Sequence, residues 1–409
     1  MCNKFNYING GTERYLFDLR EGLGFLGHNV FDFAMSDARN AESIYSDYFV
    51  SYRNFGQHKF NPNSFKTALA VIYSLEARNN IELLINKYKP EVAHLHNIYY
   101  HLSTSILKAL RKHKIPIVMT LHDYNLICPN HSLFTNNKPC VRCVGGYYYH
   151  SVLNRCVKKS YLASFLACCE MYYCKLLNMY KDNIDLFIAP SVFLRNIMIR
   201  SGIGKGKIYY LPYAINLDDF KPNFVNGSYV LYLGRITRKK GIFGILESAK
   251  VNKGIIFKIA GDGEDLNSCR NYAKKKKLVN VEFLGYLDRA ALLTYIRNAS
   301  FVVVPSLWYE VLGLVIYEAF ASGKCVLGAN IGGIPELVEN GKTGLLFESG
   351  SPSDLAVKTD YLIRNPDYAI TLGKNGLAKI KKISDQNAHL ETILGLYSRC
   401  INNYSKYRG

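Results

Sequence analysis

The sequence has no long apolar run and no apolar leader. No stretch reaches the roughly 18 consecutive apolar residues that a membrane-spanning helix requires. The opening residues, MCNKFNYINGGTERYL, lack the apolar segment of a secretory signal. The longest apolar stretch, residues 161–181, is interrupted by Glu170 and Lys175, so we expect a largely buried or interfacial helix there. These absences predict a cytoplasmic protein.

Acidic side chains are scarce relative to basic ones. The chain carries 32 Asp and Glu against 51 Lys and Arg, which gives a formal charge of +19. Between residues 105 and 181, 11 basic residues stand against 2 acidic ones. Such an excess suits nucleic acid, an anionic membrane surface or a polyphosphate substrate. Because the inner face of a membrane is anionic, we expect the protein to contact that surface peripherally.

The 11 cysteines do not indicate a disulfide framework, because their number is odd and a cytoplasmic compartment is reducing. Cys128, Cys140, Cys143 and Cys156 cluster within residues 123–160, a stretch with little periodicity that we expect to be an inserted loop. Four thiolates could hold a structural zinc ion. The alternative is a loop of buried or free thiols, since the outer two cysteines do not form CxxC pairs.

Charged residues make up 20% of the chain and apolar residues 49%, a composition that excludes disorder and supplies large cores. The 409 residues favour two domains of roughly 200 residues each. Short runs rich in Val, Ile, Leu and Phe alternate with amphipathic helical patterns, which predicts an α/β class with doubly wound parallel sheets. The predicted strands are 28–35, 91–96, 115–122, 184–190, 229–235, 255–263, 281–285, 301–306 and 325–330.

The alternation breaks once, at LPYAINLDDFKPNFVNGS, where Pro, Asn and Gly indicate a loop. We therefore predict an N-terminal domain over 1–211, a linker over 212–228 and a C-terminal domain over 229–382. Residues 383–409 are predicted to form one amphipathic C-terminal helix. Ligands bind outside the carboxyl ends of the strands in open parallel sheets, so a site is expected between the two domains.

Three short motifs supply candidate ligand groups at predicted strand ends. GRITRKKG offers Arg235 and Lys240, cations that suit a diphosphate. Near the start, Gly11 belongs to a glycine pair before a helix, which allows a phosphate or sugar to approach closely. In TLHDYN, His122 follows a strand and can bond a sugar or carry a proton. Ordinary turns and a histidine bonded within its own loop are the alternatives.

The stretch WYEVLGLVIYEAFASGK contains two carboxylates eight positions apart. Glu310 lies in the exit loop of a predicted strand, and a helix is predicted to start near Gly313 or Leu314. Its N-terminus would direct backbone N–H groups and a positive dipole end toward a phosphate. Glu318 lies among apolar neighbours, so a surface position fits it poorly. The two carboxylates can accept hydrogen bonds from the hydroxyls of a sugar and a ribose.

Taken together, these motifs resemble the retaining family 4 glycosyltransferases, the glycogen-synthase-like group 1 glycosyl transferases of the GT-B fold. The resemblance is carried by the E-x7-E spacing of Glu310 and Glu318, followed by Gly-Gly-x-x-Glu at 332–336. GRITRKKG, GGTERYLFDLREGLGFLGHNV, TLHDYNLICP and IAPSVFLRNIM are similar to further landmarks of that family. The resemblance implies two Rossmann-like domains facing each other across a cleft.

The resemblance also implies roles for the donor-binding residues. Arg235 and Lys240 would bind the donor diphosphate, with the backbone around Gly313 and Leu314 touching the sugar or phosphate. Glu318 would bind the donor ribose.

For the transferred sugar, the resemblance implies that Glu310 contacts it and stabilises positive charge at its anomeric carbon. His122 would lie near the reacting sugar, and Gly11 near the diphosphate or acceptor. The loop around Tyr286 would border the nucleotide base.

The implied activity is retaining transfer of a hexose from a nucleoside diphosphate sugar to a glycan or lipid-linked acceptor, in surface polysaccharide synthesis. The fold implies that no metal or other cofactor is required, because cations and the helix terminus stabilise the leaving diphosphate. Nucleic acid is not expected as a partner. Two alternatives stay open: a nucleotide-sugar epimerase on the same fold, and a non-catalytic basic protein that binds membrane or nucleic acid.

Overall fold

A computed structural model of the chain describes residues 1–52 and 70–406. Strands and helices alternate along most of this length. The strands are β1 Ala93–Leu95, β2 Ile117–Thr120, β3 Phe134–Thr135, β4 Lys138–Pro139, β5 Leu186–Ala189, β6 Ile208–Tyr210, β7 Tyr229–Leu233, β8 Ile256–Ala260, β9 Val281–Gly285, β10 Phe301–Val304, β11 Val326–Ala329 and β12 Gly344–Phe347.

The helices follow the same alternation, and most carry one buried face. They are α1 Gly11–Phe25, α2 Leu75–Tyr88, α3 Ser105–Lys112, α4 His150–Leu153, α5 Tyr161–Leu176, α6 Met179–Asn183, α7 Val192–Arg200, α8 Ile242–Val251, α9 Leu266–Lys275, α10 Arg289–Arg297, α11 Leu314–Ala321, α12 Ile334–Leu337, α13 Pro352–Arg364, α14 Pro366–Ile383 and α15 Gln386–Lys406.

The first sheet has four parallel strands in the order β1-β2-β5-β6. The two central strands are buried along their whole length, which explains their continuous apolar sequences. The predicted strand at 28–35 is wrong. In its place Phe33 forms an isolated bridge with Cys2, which also pairs with Leu95, and Met35 forms one with Val50.

The second sheet has six parallel strands in the order β12-β11-β10-β7-β8-β9. The predicted strands of this half are all present. Strand β12 was not predicted, since its four residues directly follow a turn at Gly341 and begin with a glycine. Strand β6 of the first sheet was also not predicted, because Tyr209 and Tyr210 are exposed and lie next to the linker.

The inserted loop at 123–160 is more regular than its sequence indicates. It contains the antiparallel hairpin of β3 and β4 and the short helix α4. The long helix α5 follows it directly. Cys143 and Tyr148 of the insert pack with Cys168 and Met171 of α5 in a small apolar cluster. The later part of the insert therefore has a small core with α5, whereas Tyr124, Ile127, Cys128 and Leu133 of its earlier part join the core of the first sheet.

The last helix, α15, returns to the first sheet. The Tyr397 hydroxyl lies 2.6 Å from His94 Nδ1, and His389 Nε2 lies 3.0 Å from the Tyr15 hydroxyl. Ile393 is fully buried in the same contact region. The amphipathic pattern predicted this helix, but not the sheet on which it packs.

No helix among the described residues is long and apolar enough to cross a membrane. The two parallel sheets lie on either side of residues 211–228. The division at 1–211, 212–228, 229–382 and 383–409 stays a prediction, and residues 53–69 and 407–409 of those ranges lie outside the described part.

Candidate active site

Glu310 lies in the loop between β10 and α11 and is only 5% exposed. Its Oε1 accepts hydrogen bonds from Lys240 Nζ at 2.6 Å, Ser306 Oγ at 2.6 Å and Trp308 Nε1 at 2.8 Å. Burial alone would raise the carboxyl pKa, but the Lys240 charge and the hydrogen bonds hold the pKa of Glu310 below its ordinary value. At neutral pH the side chain is therefore an ionised carboxylate fixed in one orientation.

The backbone of Glu310 is fixed as well. Its carbonyl oxygen accepts a 2.8 Å hydrogen bond from the N–H of Gly333, in the glycine pair that precedes α12. The two parts of the predicted signature, E-x7-E and Gly-Gly-x-x-Glu, are thus in direct contact. The glycine pair supports the loop that carries the carboxylate.

Lys240 reaches Glu310 because its own loop docks against the end of β10. A single turn of 3-10 helix, Arg238–Lys240, follows β7 and ends at Gly241 with φ 76°. A Cβ at Gly241 would lie 1.7 Å from the carbonyl oxygen of Pro305, so the close contact requires glycine. This contact brings the basic loop next to the acidic one.

Two further cations stand beside the Lys240–Glu310 pair. Lys239 Nζ lies 4.6 Å from the centre of the Trp308 ring, in a cation–π contact. Burial and the positive charges of Arg235 and Lys240 lower the pKa of Lys239. The Arg235 side chain is exposed, at the end of β7. The loop therefore concentrates positive charge that a diphosphate would neutralise.

The start of α11 meets the start of α1. Helix α11 begins at Leu314, with Gly313 as its N-cap residue in the left-handed region at φ 84°. This confirms the predicted helix start. A Cβ built on Gly11 would lie 2.6 Å from Leu314 Cδ1. The N-terminal glycine loop and the signature helix therefore touch across the boundary between the two sheets.

Glu318 lies one turn inside α11. Its Oε1 accepts a 2.5 Å hydrogen bond from Arg289 Nη1, and the same guanidinium lies 3.5 Å from Asp219. Burial raises the pKa of Glu318, while the charges of Arg289 and Arg14 oppose that shift. A half-buried carboxylate with one oxygen held by an arginine is suited to accept hydroxyl donors at the other.

His122 follows β2 as predicted, but both of its ring nitrogens have protein partners. Nε2 lies 2.8 Å from His96 Nδ1, and Nδ1 lies 2.6 Å from the Tyr213 hydroxyl. Burial lowers the pKa of His122 to about 3, against the opposing charge of Asp123. The two partners belong to the end of β1 and to the linker, so the structure does not show the histidine bonded within its own loop that was the alternative. The neutral imidazole joins these segments, and its place near the reacting sugar stays a prediction.

Several residues at this junction were not singled out from the sequence. Glu13 in the first turn of α1 is 4% exposed, and burial raises its pKa while Asn3, Lys4 and Arg235 oppose the shift. From the sequence alone, Glu13 is indistinguishable from any acidic residue in the first turn of a helix. The others are Trp308, Arg289, Arg14, His96 and Tyr213, whose roles arise from contacts between distant segments.

The structural zinc interpretation is not supported. Across residues 1–52 and 70–406, no group of three or more His, Cys, Asp or Glu side chains is arranged to hold a metal ion. The Cys128 thiol instead donates to Asn130 Oδ1, and the Cys156 thiol donates to Thr135 Oγ1. The local polar partners of these thiols leave the alternative, a loop of buried and half-buried free thiols.

Comparison with known proteins identifies both halves of the chain. Residues 9–219, more than half of the chain, match the family model described as Glycosyltransferase Family 4. Residues 215–379 match the model described as Glycosyl transferases group 1. The two matches meet at the linker between the sheets.

Curated relatives agree with these matches. The chain is 28% identical over 319 residues to an uncharacterized glycosyltransferase of Methanocaldococcus jannaschii, covering 76% of this chain and 79% of the relative. It is 27% identical over 351 residues to an uncharacterized protein from the cps region of Klebsiella pneumoniae, covering 81% and 84%.

Solved structures share the fold. A sucrose-phosphate synthase of Thermosynechococcus elongatus matches with a TM-score of 0.73 at 21% identity, covering 98% of this chain and 96% of that one. HepE of Anabaena, solved with UDP and glucose, matches with a TM-score of 0.71 at 17% identity, covering 97% and 98%. With the family models, these likenesses show that the chain belongs to glycosyltransferase family 4 and has the GT-B fold, and that it is a transferase.

Proposed function

We propose that the protein transfers a hexose from a nucleoside diphosphate sugar to a glycan or lipid-linked acceptor, with retention of anomeric configuration. The observation that carries the proposal is the buried Lys240–Glu310 pair beside the N-terminus of α11. The reaction develops positive charge at the anomeric carbon and negative charge on the diphosphate. A carboxylate and several cations at one helix start supply the opposite charge for each. The Anabaena HepE complexes with UDP and with UDP-glucose support a nucleoside diphosphate sugar as the donor class.

The donor diphosphate would lie between the basic loop and the start of α11. Arg235 and Lys240 would bind its oxygens, and the backbone N–H groups after Gly313 would face it. Breaking the bond between the anomeric carbon and the phosphate oxygen leaves the electron pair on the diphosphate. These positive groups stabilise that leaving group, so the proposed chemistry draws on no metal ion and no other cofactor.

The sugar and ribose would bind to the two carboxylates. Glu310, with Oε1 engaged by Lys240, Ser306 and Trp308, would use Oε2 on the transferred sugar and stabilise positive charge at its anomeric carbon. Glu318 would accept hydrogen bonds from the ribose hydroxyls. The acceptor oxygen then bonds to the anomeric carbon, and its proton ends on the diphosphate. His122 would border the reacting sugar and hold its loop in position.

We propose surface polysaccharide synthesis as the process that uses this transfer. Relatives from the cps region of Klebsiella pneumoniae support it, at 27% and 28% identity. An acceptor carried on a lipid would place the protein at the cytoplasmic face of the membrane. The basic excess between residues 105 and 181 is suited to that surface.

A donor screen followed by product analysis tests the proposal. Nucleoside diphosphate sugars that bind should raise the thermal unfolding midpoint, because a ligand of the folded state stabilises it. The selected donor is then incubated with extracts of lipid-linked and soluble glycans, and the anomeric configuration of the product is read by NMR. Release of a new nucleotide sugar without any acceptor would establish epimerisation instead. Absence of donor binding by the whole panel would contradict the proposal.

A further inference from the structure

Helix α5 has an apolar face that no described part of the chain covers. Tyr161 is 61% exposed, Leu162 52%, Phe165 55% and Leu176 78%. Residues 162, 165, 169, 172 and 176 repeat at intervals of three and four, so they lie along one side of the helix. Leu162, Phe165 and Leu176 on this side face solvent. Cys169 and Tyr172 between them are half-buried, and the Tyr172 ring packs against Tyr148 of the insert.

The opposite side of α5 is apolar too. Its buried residues are Ser164, Ala167, Cys168, Glu170, Met171 and Cys174, which pack toward the insert. A helix that is apolar all round is typical of a fully covered element. Exposure of one such side costs free energy in water, and a contiguous exposed apolar face indicates a binding surface.

The segment before α5 extends the same apolar character. Tyr147 is 59% exposed, Tyr149 48% and Leu153 67%, all on or next to α4, which packs against α5. Arg155 stacks on Tyr161 at 5.4 Å from the ring centre. Tyrosines and arginines around an apolar centre are typical of side chains at a membrane–water boundary. The exposed residues of α4 and α5 with their flanks are here called the α5 face.

The charges around the α5 face have one sign. Between residues 124 and 181 the sequence holds 7 Lys and Arg and a single acidic residue, Glu170. Glu170 is 4% exposed and lies on the inner side of α5, so it presents no negative charge to solvent. The basic residues, all exposed, are Lys138, Arg142, Arg155, Lys158, Lys159, Lys175 and Lys181. The first exposed carboxylate after this segment, Asp182, lies beside Arg111. A segment whose exposed groups are apolar and basic complements an anionic lipid bilayer.

We propose that the α5 face docks on an anionic membrane surface, with Leu162, Phe165 and Leu176 in the acyl boundary and the lysines on lipid phosphates. This gives the membrane contact of the proposed function a defined location on the chain. It does not depend on the transfer chemistry, because the α5 face shares no residue with the Lys240–Glu310 site.

Vesicle flotation tests the proposal with the full-length protein. Vesicles of phosphatidylcholine alone are compared with vesicles that contain one third phosphatidylglycerol, at low and high salt. We expect binding to the anionic vesicles at low salt and its reduction by salt, because lysine–phosphate attraction is screened. The double variant Leu162→Glu/Phe165→Glu should bind at least about tenfold more weakly, since each change removes a buried apolar side chain from the lipid.

The control is Leu83→Glu, which places a single carboxylate on another exposed leucine, 59% exposed on α2. It should bind vesicles like the unaltered chain. Equal binding by Leu83→Glu and Leu162→Glu/Phe165→Glu would overturn the proposal, as would absence of binding to anionic vesicles at low salt. Sedimentation is run in parallel: a dimer that the double variant abolishes would show that a second copy covers the face, which also overturns it.

Discussion

Glu336 and Phe193 belong to opposite halves of the molecule, and the Glu336 Oε1 accepts a 2.6 Å hydrogen bond from the backbone N–H of Phe193. The other carboxylate oxygen accepts from the N–H of Val192 at 2.7 Å. These N–H groups are in the first turn of α7, where Ser191 is the N-cap residue. One carboxylate of the second half thus caps a helix of the first half and joins the two halves.

Replacing Glu336 by Ala should loosen that contact. The loss of a helix cap costs about 1–2 kcal/mol, so we expect a lower unfolding midpoint. We also expect a larger radius of gyration by small-angle X-ray scattering, because the two halves lose a bond that joins them. The control is Glu348→Ala, which removes an exposed carboxylate of the second half. Equal effects of the two changes would show that the cap does not join the halves.

Lys240→Met should abolish sugar transfer and also destabilise the protein. It leaves the Glu310 carboxylate buried without its cation, a change that typically costs about 3–5 kcal/mol. Glu310→Gln should abolish transfer at a smaller cost in stability, since an amide remains bonded. Initial rates and thermal unfolding measure both. Lys258→Met breaks a pair with Glu282 on β8 and β9 and should leave transfer unchanged. Full activity of Glu310→Gln would remove the assignment of this carboxylate.

Gly11→Val should lower transfer more than stability, because its Cβ would lie 2.6 Å from Leu314 Cδ1 and displace that side chain at the start of α11. The partner change Leu314→Ala should restore part of the activity in the double variant, since it removes the clashing atoms. Gly24→Ala, in the same helix with no atom within 4 Å of the new Cβ, is the control and should be harmless. If the double variant transfers sugar no faster than Gly11→Val, the contact between Gly11 and Leu314 is not what limits activity.

Glu318 should distinguish ribose from deoxyribose. With the natural nucleoside diphosphate we expect roughly tenfold tighter binding than with its 2′-deoxy analogue, because a half-buried carboxylate that loses a hydroxyl partner is penalised. Glu318→Ala should bind both ligands equally weakly, and calorimetry gives the four affinities. Glu282→Ala, at an exposed carboxylate on β9, should retain the discrimination. Discrimination that survives in Glu318→Ala would contradict the ribose role.

Acid should destabilise the protein through its buried histidines. Burial lowers the pKa of His122 to about 3 and of His389 to about 4, and also lowers those of His94 and His96. The folded state therefore holds these imidazoles neutral where the unfolded chain, with a pKa near 6.5, binds protons. Their contribution to stability is complete above pH 6.5 and falls as the pH drops toward 4, by about 1.4 kcal/mol per histidine per pH unit.

Unfolding midpoints measured across this pH range check the prediction. His122→Gln removes one titrating group and should give a shallower loss of stability below pH 6.5. The control His28→Gln makes the same substitution at an exposed histidine. If His122→Gln leaves the slope of unfolding midpoint against pH unchanged, another group dominates the loss of stability in acid.

The sequence by itself determined the local features. Continuous apolar runs predicted most of the parallel strands, and the glycine before Leu314 predicted the start of α11. Both predictions succeed because backbone preference and burial act over a few consecutive residues. Glu310, Glu318, Arg235 and Lys240 were selected by spacing and by resemblance to the family. The short strands β6 and β12 were not predicted, since exposed tyrosines in β6 and glycines at the turn before β12 interrupt the apolar pattern of a buried strand.

Only the tertiary structure decided which distant groups meet. Lys240 bonds to Glu310 across 70 positions, Phe193 to Glu336 across 143, and His94 to Tyr397 across 303. The pairing of His122 with His96 and Tyr213, which argues against proton transfer, likewise depends on separate strands and the linker. Periodicity in the sequence shows which face of a helix or strand is apolar. The packing of whole helices and strands decides which other element that face contacts. That packing also sets the burial and the charged neighbours of each site residue, and hence its protonation state.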